Sequence, residues 1–170
     1  MKNKQLLPIY LLCAALAAAA YLFLSAHIEW TLFPYAKALE ALFGLHFYFT
    51  GTAYAAAGSS VVLTKACSGL NLFLSLYTIL VFGFLHQFQG NKKRLTLSLL
   101  YFTVAVLTAF IATLARIIVS LPFSESPHFK LIHTVVSFCV LFGTGLLLYS
   151  LMQKITGKFV KGENDLEKAI

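Results

Sequence analysis

The sequence predicts an all-α polytopic membrane protein, with about four transmembrane helices and an outer interfacial segment between the first and second. Two observations carry this. Of 170 residues, 59% are hydrophobic and only 11% charged, with a mean hydropathy of +0.83, which lies outside the range of soluble globular chains. The apolar residues are also gathered into runs of bilayer length. A disordered chain, a collagen-like repeat and a disulfide-stapled scaffold are excluded by the scarcity of charge, ten Gly without a period and three Cys. The net charge of +7 reads as an orientation signal in a bilayer, and with no basic stripe nucleic acid is not an expected partner.

Residues 1–5 are expected to form a cytoplasmic N-terminus, residues 6–153 a single membrane-embedded domain, and residues 154–170 a solvated cytoplasmic tail. Leu6 to Ala26 is an uncharged run of 21 residues. At ~1.5 Å per residue it is long enough to cross a hydrocarbon core of about 30 Å. The rival is a cleaved leader, because Lys2 and Lys4 make a basic start and Ala18 to Ala20 mimic a cleavage site. Tyr21 to Leu24 continue the apolar run past that site and favour a span. A lipoprotein reading of Cys13 is weaker still, since Leu12 stands where a small residue belongs.

Residues 27–68 are too long for a simple turn and too apolar for a floating loop, so they are expected to lie on the membrane. Pro34 at a first-turn position, Tyr35 to Phe43 with Lys37 and Glu40, and Gly44 as a stop predict a short interfacial helix. Trp30, Phe33, Tyr35, Phe47, Tyr48 and Phe49 suit the headgroup belt. Phe47 to Tyr54 and Val61 to Lys65, flanking Gly58-Ser59-Ser60, read as two extended pieces and one turn. Three further spans follow at about 69–86, 95–121 and 131–153.

The turn Gln89-Gly90-Asn91-Lys92-Lys93-Arg94 is short and basic, of the kind that stays in the cytoplasm. Four spans then put both termini inside. Nine Lys and Arg fall inside (Lys2, Lys4, Lys92, Lys93, Arg94, Lys154, Lys158, Lys161, Lys168) and three outside (Lys37, Lys65, Lys130), with Arg116 in the membrane. The expected location is the cell (cytoplasmic) membrane.

On this topology three reactive residues share one level. Cys67 lies immediately before the second span. Arg116 is some 32 Å beyond Leu95 at ~1.5 Å per residue, at the outer boundary of the core. His133 opens the fourth span. A cysteine at a helix start meets unpaired N–H groups and the positive end of the dipole, which favour the thiolate, and Lys65 adds to this. Ser68 is placed to cap the helix, and Gly69 to leave backbone N–H groups open as an oxyanion hole requires. Asn71 follows within the first turn. Cys13 and Cys139 sit inside apolar runs and read as packing residues.

A charge within a span costs several kcal/mol unless it snorkels or finds partners, and Arg116 has no Asp or Glu in spans two to four to pair with. It reads either as an interfacial anchor or as a donor to an oxyanion or a carboxylate. Among the histidines, His133 stands on a helix start and His128 in the outer loop after Pro127, and a general base favours the rigid position. His128 and His133, five apart, lack supporting carboxylates and make a weak case for a metal; Cys-x-x-Cys, His-Glu-x-x-His, phosphate loops, dinucleotide fingerprints and the Gly-x-Ser-x-Gly elbow do not occur in the sequence.

Ala66-Cys67-Ser68-Gly69-Leu70 at one helix start, Ala115-Arg116-Ile117 at the outer end of the next and Ile132-His133-Thr134 opening the one after resemble the exosortase/archaeosortase family. The resemblance covers roughly residues 51–145, with the three motifs in the family's order. With four spans where many relatives have about eight, the chain is most similar to the short exosortase K branch. The resemblance implies a membrane-embedded cysteine transpeptidase that cuts C-terminal sorting tails of exported proteins and transfers them to a surface acceptor. Cys67 would be the nucleophile, Arg116 the oxyanion or substrate stabiliser and His133 the acid/base, with no metal or organic cofactor. The competing class is a non-enzymatic four-helix accessory or transporter subunit, for which the sparse polar core of the spans speaks.

Overall fold

The computed structural model describes residues 6–88, 90–124 and 126–167, with side chains described as far as residue 157. Lys2, Lys4, Gln89 and Lys168 of the orientation argument lie outside the described residues. The helices are α1 (Leu6–Ala26), α2 (Ile28–Phe43), α3 (Leu70–Phe84), α4 (Asn91–Ser120) and α5 (Phe129–Glu167); the strands are β1 (Phe47–Phe49), β2 (Tyr54–Ala56) and β3 (Val62–Leu63). Single 3₁₀ turns at Lys65–Cys67, Leu85–Gln87 and Leu121–Phe123 bring the apolar helices to four segments long enough to cross a membrane: Lys65–Gln87, Asn91–Phe123, Phe129–Gly157 and α1 itself. The protein is a multi-pass, all-α membrane protein.

α3 is the central helix. Most of its membrane-spanning length is buried, whereas α1 and α5 are largely exposed and α4 is intermediate. Its buried side chains, Leu70, Phe73, Leu76, Tyr77, Leu80, Val81 and Phe84, recur at three- and four-residue spacing and meet neighbours on several sides. α4 approaches closely because Ala105, Ala109 and Ala112 line its inner face, the small-residue solution expected where lipid gives helices no hydrophobic drive to associate. α1 contributes Cys13 and Ala17 to this core. Large side chains such as Leu22, Leu107, Ile111 and Leu146 point outward, as lipid-facing positions do.

Over one end of the bundle lies a second apolar cluster formed by α2, the strands and the end of α4: Leu32, Tyr35, Ala36, Leu39, Tyr54, Leu63 and Ile117. Two expectations are corrected there. α2 begins at Ile28, not Tyr35, so Pro34 is interior to the helix, where it gives up its own N–H bond and its ring crowds the carbonyl four residues back. Tyr35 does not belong to the aromatic belt. It is buried with Leu32, Ala36 and Leu39, whereas Trp30, Phe33 and Tyr48 are exposed. Gly44 ends α2 in the left-handed conformation, its N–H donating to the Glu40 carbonyl at 2.9 Å.

The segment read as two extended pieces is a three-stranded antiparallel meander, with Phe47 opposite Ala56, Phe49 opposite Tyr54, and Tyr54 opposite Leu63. The missed turn is at Gly51, whose φ of 94° suits a glycine. Glu40 ties α2 to this sheet: its carboxylate accepts from Lys37 Nζ at 2.6 Å and from the Phe47 N–H at 3.0 Å. Those two bonds hold its pKa below the ordinary carboxylate value. At the other end of the chain, α5 continues helically to Glu167, past the expected end of the fourth span.

Candidate active site

Cys67 closes the 3₁₀ turn Lys65–Cys67, with its own N–H donating to the Thr64 carbonyl at 2.8 Å. It is half-buried. α3 starts only at Leu70, because Gly69 takes a left-handed φ of 69° between the turn and the helix. Cys67 is therefore beside the helix start and not in its first turn, which corrects the dipole argument made from sequence. The free N–H groups of the α3 terminus belong to the residues that follow Cys67.

Gly69 is required here for two reasons. Its φ disfavours any L side chain, and a Cβ at this position would run into Thr113 Oγ1 and come within 3.0 Å of Tyr35 Oη. Ser68 caps from one residue farther out than expected, its Oγ accepting from the Leu70 N–H at 3.4 Å. The Ser68 carbonyl accepts from Tyr35 Oη at 3.1 Å.

Arg116 is on α4, one turn before its end, and is half-buried. Its Nη2 donates to the Ala66 carbonyl at 2.9 Å, so the guanidinium is anchored on the residue next to Cys67. His133 lies one turn inside α5, whose start at Phe129 precedes the expected one. Its ring packs against that of Phe129 with centroids 5.5 Å apart. Cys67 and His133 line one cavity of about 200 Å3, together with Leu63, Ile117, Ser120 and Ser124. His128 is not among the residues around that cavity and is exposed, its carbonyl accepting from the Ile132 N–H at 3.1 Å.

Two more chambers meet at Arg116. One, of about 410 Å3, is lined by Tyr21, Lys65, Ala66, Ser68, Gly69 and Asn71, among others. The other, of about 310 Å3, runs between α3, α4 and α5 past Ser75, Thr113, Thr134 and Ser137. Asn71 and Leu72 line both, and Tyr21 Oη donates to Asn71 Oδ1 at 3.4 Å. Lys65 is exposed in the Cys67 turn.

Buried side-chain polar atoms normally find a partner. Those that find none among the described residues are Tyr77 and Tyr101 Oη in the bundle, Arg116 Nε, Ser120 Oγ and His133 Nδ1. Ser120 and His133 share the Cys67 cavity, and Arg116 is the side chain anchored on the neighbouring Ala66. Cys13 is buried in the bundle and Cys139 is exposed on α5. Among the described residues, no three His, Cys, Asp or Glu side chains come together as metal ligands do.

The sequence reading named Cys67, Arg116 and His133, and the fold brings them to one end of the bundle. It passed over Tyr35 and Thr113. The signal for Tyr35 was its three- and four-residue spacing from Leu32 and Leu39, which marks an inward helix face. Comparison with protein-family models, with curated proteins and with solved structures gives no match.

Proposed function

We propose that the chain is a membrane-embedded cysteine transpeptidase of the exosortase type. It acts at the outer face of the cytoplasmic membrane, with both termini inside, on exported proteins that carry a C-terminal sorting tail. The observation that carries this reading is the pairing of Cys67 and His133 in one cavity, with Arg116 fastened to the Ala66 carbonyl beside them. A thiol and an imidazole sharing a cavity, next to a fixed cation, are the parts acyl transfer needs.

His133 takes the Cys67 proton, and the thiolate attacks the scissile carbonyl to form a C–S bond and an oxyanion. Arg116 and the backbone N–H groups after Cys67 stabilise that oxygen. Collapse breaks the C–N bond, and His133 returns the proton to the leaving amine. A surface acceptor, or water as the poorer alternative, attacks the thioester and releases the thiol. The orientation rests on the basic turn at Lys92 to Arg94 and on the distribution of Lys and Arg.

The test is co-expression with candidate tail-anchored exported proteins, followed by mass spectrometry for a tail-cleaved acyl group on Cys67. The expected result is an adduct in the intact chain and none in Cys67→Ala. Tails left uncut by the intact chain across all candidates, without an adduct, would return the protein to the accessory-subunit class.

A further inference from the structure

Tyr35 comes from α2, outside the Cys67, Arg116 and His133 group, yet it reaches the backbone between Cys67 and α3. It is 5% exposed. Its ring packs on Phe110 with centroids 4.9 Å apart, and its hydroxyl donates to the Ser68 carbonyl at 3.1 Å, with Thr113 Oγ1 facing the same Gly69 position. Burial pushes the phenol up to about 12, with Thr113 and Arg116 pulling the other way. The hydroxyl therefore keeps its proton, and its capacity to donate, across the neutral range.

The Ser68 carbonyl and the Gly69 N–H belong to one planar trans peptide unit and point in opposite directions. Holding the carbonyl fixes the N–H. That N–H makes no hydrogen bond among the described residues, and Gly69 shares its chamber with Arg116. A peptide unit flanked by glycine is also the one most easily turned over.

We infer that Tyr35 is a positioning residue: by holding the Ser68 carbonyl it aims the Gly69 N–H away from α2, where that N–H joins Arg116 in meeting the oxyanion formed at Cys67. With the peptide unit turned over, the Ser68 carbonyl would face the developing negative charge and repel it. The inference takes its reaction from the transpeptidase reading, but its geometry stands without it.

Two small probes separate the roles, used on the full chain carrying Cys13→Ala and Cys139→Ala. Iodoacetamide alkylates Cys67 by displacement of iodide, with no oxyanion. p-Nitrophenyl acetate acylates it: the thiolate attacks the ester carbonyl through a tetrahedral oxyanion, the C–S bond forms, and nitrophenolate leaves with the electron pair of the broken C–O bond. Tyr35→Phe removes one hydroxyl and keeps the ring. It should slow acylation about tenfold, as loss of one hydrogen bond implies, and leave alkylation within about twofold.

If Tyr35→Phe does not accumulate, Tyr35→3,5-difluorotyrosine keeps the shape with a more acidic phenol. Acylation should then fall as pH rises through that ionisation while alkylation does not. Equal slowing of both probes, or of neither, overturns the inference. A tail left uncut while acylation remains Tyr35-dependent sinks the transpeptidase reading and leaves the positioning role standing.

Discussion

Gly69→Ala separates two costs that glycine avoids beside Cys67. At φ 69° an added Cβ would run into Thr113 Oγ1 and approach Tyr35 Oη to 3.0 Å. A left-handed backbone costs an L residue about 1–2 kcal/mol, and forcing an extra carbon into a packed interior adds about 1–3 kcal/mol, for a combined loss of about 2–5 kcal/mol. Gly44 is the internal control. Its φ is 67°, and nothing lies within 4 Å of its Cβ position, so Gly44→Ala should lose only the backbone part. Unfolding free energies measured side by side in mixed micelles should differ by the packing part, about 1–3 kcal/mol. Adding Thr113→Ala to Gly69→Ala removes the nearest obstruction, so the double variant should be more stable than the sum of the single losses. Equal losses at Gly44 and Gly69, or strict additivity with Thr113→Ala, would refute the close approach of α4 to the Cys67 turn.

Cys67→Ser and Cys67→Ala should abolish tail cleavage while Cys13→Ala and Cys139→Ala leave it nearly intact; equal loss at Cys139 in the same assay would assign the thiols to packing. Arg116→Lys should fail almost as badly as Arg116→Ala, because an ammonium does not reproduce a planar donor anchored on the Ala66 carbonyl; substantial activity in Arg116→Lys would make the residue an anchor. Cysteines introduced at Ser59 and Ser126 should react with an impermeant maleimide from outside, and one at Asn91 only after permeabilisation; the inverse pattern would overturn the orientation. Tyr35 carries a folded pKa of about 12 against 10.0 in the free side chain, so folding favours its protonated form. The associated stability, about 3 kcal/mol, is fully present below pH 10 and is lost as pH rises toward 12. Alkaline unfolding of the parent and of Tyr35→Phe should diverge over that interval, and parallel curves would contradict the burial argument.

The spans were legible because bilayer thickness imposes a length on apolar runs, and α1 coincides with the run Leu6 to Ala26. The helix starts were less so. Hydropathy stops at Leu95, whereas α4 begins at Asn91, since Lys92 to Arg94 are good helix formers that apolar counting does not register. The level of Cys67, Arg116 and His133 followed from counting residues along spans. The ties between them did not: Arg116 to Ala66 and Tyr35 to Ser68 join residues 50 and 33 positions apart, and both end on backbone carbonyls, which carry no identity in a sequence. Tyr35 was misplaced because aromatic side chains suit both a headgroup belt and a helix core. The inward spacing of Leu32, Ala36 and Leu39 decided between them.

The Cys67 turn is held by residues that emerge from the ribosome before and after it. Tyr35 precedes it, and Thr113 and Arg116 come only with the third span. A nascent chain that has inserted its first two spans therefore carries a thiol whose turn is fastened at Ser68 alone; the Ala66 fastening arrives when residue 116 does, and the imidazole of His133 later still. Since synthesis runs from the N-terminus, the supports arrive in chain order, and Cys67 is present well before Arg116 and His133, which complete its surroundings. Two fragments divided at the connection between α3 and α4 would leave the Cys67 turn with Tyr35 but without Arg116, and reassociation would restore the Ala66 tie.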